Sequence, residues 1–99
     1  EPIEVREVII PSEFNDTYEA YNAIQKNQSL DLEPYKGFRA KKWIFEVKNY
    51  PDYPADSGYI RATLLVYDGT VIGGDISSVE QNGFVQGFEF PNVKTTQNN

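Results

Sequence analysis

Apolar residues recur along the chain with two different spacings. In Glu1 to Ile10, Ile3, Val5, Val8, Ile9 and Ile10 are interleaved with charged residues. That pattern predicts a strand, ended by Pro11, which has no amide hydrogen to give to a ladder. From Ser12 to Gln28 the spacing changes: Phe14, Tyr18, Tyr21, Ile24 and Gln25 follow the i, i+3, i+4 rule of a helix with one stripe for the core. Ser12 or Asn15 can cap its start, Glu13 and Asp16 suit its first turn, and Lys26 suits its end. Tyr and Phe are only moderate helix formers, so packing of the stripe must hold this helix. Leu30 and Leu32 can cover the helix end. Pro34 stops the helix, and Gly37 permits a bend into the next segment.

Alternation returns in Phe38 to Asn49, with Trp43, Phe45 and Val47 on one side and Lys42, Ile44, Glu46 and Lys48 on the other. Tyr50 to Gly58 has the prolines, aspartates and glycine of a loop. Tyr59 to Ser78 then reads as a hairpin around Asp68-Gly69, a pair that tolerates the two positive φ values of a type I′ turn. A two-residue turn pairs Tyr67 with Thr70, Val66 with Val71 and Leu65 with Ile72. Continued without a break, that register sets Asp75 on the apolar side beside Ala62. A bulge at Gly73-Gly74 relieves the conflict, turning Ile76 inward and Asp75 outward near Arg61 and Thr63. Val79 to Asn92 carries an Asn82-Gly83 turn, then Phe84, Val85, Phe88 and Phe90, and reads as a last short strand or a segment laid over the sheet edge.

These elements predict one α+β domain over 1–93 with a frayed tail at 94–99. One N-terminal helix packs on a twisted antiparallel sheet of three to five strands in the order β-α-β-β-β, loosely cystatin-like. The helix stripe is expected to meet Trp43, Phe45, Leu64 and Val66.

Composition narrows the function. Nine basic against fifteen acidic residues give a net charge of -6. That balance disfavours nucleic acid and anionic membranes as partners. Lys36, Arg39, Lys41 and Lys42 form one basic cluster, best read as a solvated edge. The absence of Cys excludes disulfides and thiolate chemistry, and the absence of His removes the usual base near neutral pH. No cofactor or metal is expected, and no catalysis. The chain begins at Glu1 rather than Met, which leaves room for a signal peptide or membrane anchor upstream of it.

Several segments together resemble a known family. They are Ile10-Pro11 with Glu13-Phe14, then Tyr18, Tyr21 and Asn22; Asp31-Leu32 with Pro34-Tyr35 and Gly37; Asn49-Tyr50-Pro51; Leu64 to Gly69; Val71 to Asp75; and Gly83-Phe84. The chain is similar to a bacterial family catalogued only as a domain of unknown function. Its members are small proteins of Gram-positive gut anaerobes, with an N-terminal membrane segment and one extracytoplasmic domain. The resemblance implies an anchored, outward-facing module and transfers no functional residue. Where family members carry a Cys after the Gly-Gly-Asp run and a His near the last segment, this chain has Ser77 and Gln86.

Four sites come from the residues themselves. Tyr50, Tyr53 and Tyr59 on or beside a proline-stiffened loop could stack on sugars or receive a peptide side chain, unless the rings fold back over the sheet. Asp52, Asp56 and Ser57 could offer oxygens to calcium, although ordinary turn capping explains them more simply. Asp75 with Glu80 is the best pair for carboxylate chemistry; a cross-strand pair of Asp75 with Arg61 is the simpler account. Ser77-Ser78 lacks a nearby base. Lastly, a sheet edge could accept a peptide strand or a second copy, with Lys41 and Lys42 as edge protection. The expected role is therefore a monomeric, non-catalytic, cell-surface binding or sensory module. Its ligand would be an extracellular protein, peptide or glycan, and its candidate contacts are Tyr50, Tyr53, Tyr59, Arg61 and Asp75. A small carbohydrate-binding domain and an inhibitor of an extracellular enzyme are the alternatives.

Overall fold

The computed structural model describes residues 1–54, 57–79 and 83–88. Strand β1 (Glu4–Ile9) leads to helix α1 (Asp16–Asn27) and a one-turn 3-10 helix at Glu33–Tyr35. Strands β2 (Arg39–Glu46), β3 (Ile60–Tyr67), β4 (Thr70–Ser78) and β5 (Val85–Gln86) follow. The five strands form one antiparallel sheet in sequential order β1-β2-β3-β4-β5. The expected α+β architecture is present, and the element order is one short strand longer than the β-α-β-β-β expected. Asn82, Phe90 and the boundary between 93 and 94 lie outside the described residues.

Local chemistry accounts for the element ends. Asn15, not Ser12, caps α1: its side-chain oxygen accepts the Tyr18 amide at 2.8 Å, which leaves Phe14 ahead of the helix. Asp68 and Gly69 take φ of 52° and 78°, the left-handed pair that a two-residue hairpin requires. Tyr67 pairs with Thr70 and Val66 with Val71 as expected, but Leu65 pairs with Gly73. The extra residue is therefore Ile72, and the bulge comes just before the predicted Gly73-Gly74. Ile72 itself is buried, so the bulge adds an apolar side chain to the core.

The helix covers the face opposite to the one expected. Its core cluster joins Ile10, Leu32, Ala40, Leu65 and Ile72, with Phe14, Tyr18 and Tyr21 packed against it. Trp43 lies on the other face with Glu7, Lys41 and Val66, and Phe45 and Leu64 share that side by register. Alternation alone does not choose, because both faces carry apolar residues. Backbone approach decides it: a side chain on Gly73 would begin 2.9 Å from Leu32 Cδ2 and 3.2 Å from Gln25 Oε1. Ala40, Thr63 and Gly73 leave room for the helix layer, whereas Trp43 and Phe45 would hold it off. On the far face Tyr50, Ile60 and Ile76 form a second cluster, covered by Phe84 and Phe88. Elsewhere on that face Val5, Ile9 and Val71 are exposed.

Polar groups fix α1 to β4. The side-chain oxygen of Gln25, fully buried, accepts the Gly74 amide at 2.8 Å. Gln28 donates from Nε2 to the Gly74 carbonyl at 3.1 Å and accepts the Phe88 amide at 3.0 Å. Among the described residues β5 pairs only with Ile76 and Ser77, so at Gly74 two glutamine amides stand where a strand partner would. Asn22 ties down the segment after the helix. It accepts the Leu32 amide at 2.7 Å and donates to Asp31 Oδ1 at 2.8 Å. That bond and the Glu33 amide hold the Asp31 carboxyl below its ordinary pKa.

Gln25→Leu tests this attachment. The substitution keeps the volume and adds hydrophobicity, yet leaves the Gly74 amide buried without an acceptor. Urea unfolding should show a loss of about 1–3 kcal/mol, against at most about 0.5 kcal/mol for Glu19→Ala on the exposed side of α1. A variant as stable as the parent would show that the glutamine does not anchor the helix.

Candidate functional site

Because α1 is drawn over β4, the other half of the sheet is only partly covered. A cleft of about 390 Å³ opens between the helix and strands β1 to β4. Its apolar walls include Val8, Ile10, Tyr18 and Leu65, and its polar groups include Tyr21, Lys42, Thr63 and Asp75. Cavities with apolar walls and a few convergent polar groups are the usual form of small-ligand sites.

Asp75 is the centre of this arrangement. It is 6% exposed and stands opposite Thr63 in the ladder. The Tyr21 hydroxyl donates to its Oδ1 at 2.6 Å, within the range of charge-assisted bonds. Burial pushes the Asp75 carboxyl above its ordinary pKa, and Tyr21, Lys42 and Ser77 pull in the opposite direction without cancelling it. The Tyr21 hydroxyl is held well above its ordinary value by burial and then by the negative charge of Asp75. Burial also raises Tyr18. Tyr21 is thus a fixed donor, and the carboxylate it orients is exposed chiefly to the cleft.

The residues expected to form sites are dispersed. Asp75 does share a face with Thr63 and Arg61, as the bulge argument required, but that face is the helix-covered one, so Asp75 points inward. Arg61 forms no ion pair with it; among the described residues, the guanidinium Nε is buried without a hydrogen-bond partner. The tyrosines have largely turned back onto the protein. Tyr50 is buried, stacks on Phe84 with centroids 5.3 Å apart and donates to Gln86 Oε1 at 3.0 Å. Tyr53 sits edge-on between Tyr50 and Tyr59. Tyr59 alone of the three is exposed. Ser57 accepts the Tyr59 amide at 3.2 Å in an ordinary turn cap, Asp52 has a left-handed φ of 70°, and Asp56 and Glu80 lie outside the described residues.

The basic cluster is also divided. Lys36 lies 4.7 Å from the Phe14 ring centroid and pairs with Glu33, and Arg39 pairs with Glu7 on the far face. Lys41 and Lys42 belong to β2, which has a strand on either side, so neither protects an edge. Lys42 enters the cleft instead. Sequence reasoning missed both Lys42 and Tyr21 as site residues. The available signal was Gly73: read as a point of close approach, it identifies the helix side and hence the face of Lys42, Thr63 and Asp75.

A carboxyl with a raised folded-state pKa contributes its full stability below its unfolded pKa, near 3.9. That contribution is lost as pH rises through the folded value. The stability of the parent relative to Asp75→Asn should therefore be greatest near pH 3 and decline from about pH 4 upward. Urea unfolding of both proteins from about pH 3 to 7 measures the difference. A flat difference would place Asp75 in water-like surroundings.

No helix among the described residues is long and apolar enough to cross a membrane. No curated protein and no solved structure matches the chain, so the cystatin-like outline gains no structural relative. A family model does match, described as Domain of unknown function (DUF4830), over residues 1–76. The match takes in β1, α1, the loop after it, β2, β3 and β4 as far as Ile76, including every cleft residue named above. By that match the chain belongs to the family Domain of unknown function (DUF4830).

Proposed function

We propose that the chain is a non-catalytic binding module that receives a small ligand, or the end of a larger one, in the cleft beneath α1. The observation that carries this reading is a buried carboxylate, oriented by a tyrosine hydroxyl, at the floor of an apolar-walled cavity. The non-catalytic part rests on chemistry. The chain has no His or Cys. Asp75 is also the only buried acid among the described residues, so the pair of unlike acids used in acid–base work has no second member there. An outward-facing location follows from the resemblance to anchored extracytoplasmic proteins and fits the acidic, cysteine-free composition. A carbohydrate platform has less behind it, since only Tyr59 keeps an exposed ring among Tyr50, Tyr53 and Tyr59.

The test is an amide-resolved NMR titration with a panel of free amino acids, short peptides and oligosaccharides. Binding should move the amides of Val8, Thr63, Leu65 and Asp75, and Asp75→Asn should weaken it. Shifts confined to the surroundings of Tyr59 would transfer the function to the loop. A panel without any binder would contradict the reading.

A further inference from the structure

The cleft holds two opposite charges that form no ion pair with each other, although the Lys42 ammonium acts on Asp75 through space. Asp75 is on β4 and Lys42 on β2, with β3 between them. The ion pairs among the described residues are Arg6–Glu4, Lys36–Glu33 and Arg39–Glu7, and neither cleft residue takes part. Neighbouring strands lie about 4.8 Å apart and Lys42 is offset from Asp75 by two positions along the ladder, so their backbones are about 12 Å from one another, a gap that the two side chains shorten. A simple anion entering this space meets Asp75, and a simple cation meets Lys42. A molecule carrying both charges satisfies both residues. In a free α-amino acid the ammonium nitrogen and carboxylate oxygens are about 3 Å apart. With a hydrogen bond of about 2.8 Å at each end, that head group spans roughly 8–9 Å. Val8, Ile10 and Leu65 then offer an apolar wall to its side chain. A cavity near 390 Å³ is at the small end of ligand sites and leaves little room for an oligosaccharide.

Building on the binding reading above, we infer that the cleft recognises a free α-amino acid with an aliphatic side chain. Its ammonium is held by Asp75 and its carboxylate by Lys42 and the Thr63 hydroxyl. Tyr21 takes Oδ1 of Asp75 and so positions the carboxylate for the incoming ammonium.

Calorimetry with L-leucine, leucinamide and 4-methylpentanoate tests this. Leucine should bind, and each analogue, lacking one charge, should bind at least about tenfold more weakly, the factor that one lost charge-assisted bond of about 1.4 kcal/mol produces. Lys42→Gln should weaken leucine by a similar factor and leave leucinamide nearly unchanged. Asp75→Asn should weaken leucine and leucinamide but not 4-methylpentanoate. This pattern of reciprocal losses cannot come from misfolding, which would weaken all three ligands together; Thr63→Val, beside Asp75 in the ladder, gives a second variant that should weaken leucine and 4-methylpentanoate more than leucinamide. Equal affinity for leucine and either analogue would overturn the assignment. Should another panel member titrate the cleft amides while leucine does not, the amino-acid assignment falls and the binding reading stands. If no compound titrates them, both fall.

Discussion

The structure depends on how one peptide unit of a bulged strand is satisfied. Among the described residues, the outward groups of β4 at Gly74 have no strand beside them, because β5 reaches only Ile76 and Ser77. Leaving a buried amide and carbonyl unpaired costs more than most side-chain contacts can return. Gln25 and Gln28, one helical turn apart, supply the acceptor and the donor. This requirement fixes α1 in position over β4 and explains why a helix of mixed apolar and polar residues buries Gln25 completely. The glycines are the other half of the arrangement. Gly73 lets Leu32 and Gln25 approach, and Gly74 lies under Phe88 with no room for a side chain.

The cleft follows from that placement. A helix held at one side of a five-stranded sheet cannot cover the other side to the same depth. The gap is lined by what β1, β2 and β3 present on that face: Val8 and Ile10 from the first segment, Lys42 from β2, Thr63 and Leu65 from β3. Asp75 is carried to the floor of the gap by the same strand that the glutamines grip, and Tyr21 reaches it from the same helix. The site and the clamp therefore share two elements, so any change that loosens the clamp must also move the carboxylate relative to its tyrosine donor.

Much of the architecture is legible in the sequence because it is governed by local rules. The Asp68-Gly69 turn, the Phe14-Tyr18-Tyr21 stripe and the alternation of β2 and β3 each follow from backbone conformation or period. The choice of covered face does not follow, because Trp43, Phe45, Leu64 and Val66 on one side and Ala40, Ile44 and Leu65 on the other are both apolar. Side-chain size points to the first set, whereas the helix lies on the side of the small residues. The same inversion accounts for Asp75 pointing inward and for Lys42 escaping notice as a site residue. The Asp75 conflict reveals that a bulge exists but not where, since the glycine pair serves close approach rather than the insertion itself. The burial of Tyr50 is hidden for another reason: nothing in a loop sequence reveals that Phe84, far along the chain, stacks against it.

Amide hydrogen exchange at Gly74 measures the central interaction most directly. If two glutamine side chains stand in for a strand, the Gly74 amide should be protected to the level of Leu65 in the middle of the sheet, although no strand among the described residues pairs with it on that side. Exchange of Gly74 at the rate of an exposed loop amide, with Leu65 still protected, would contradict the account.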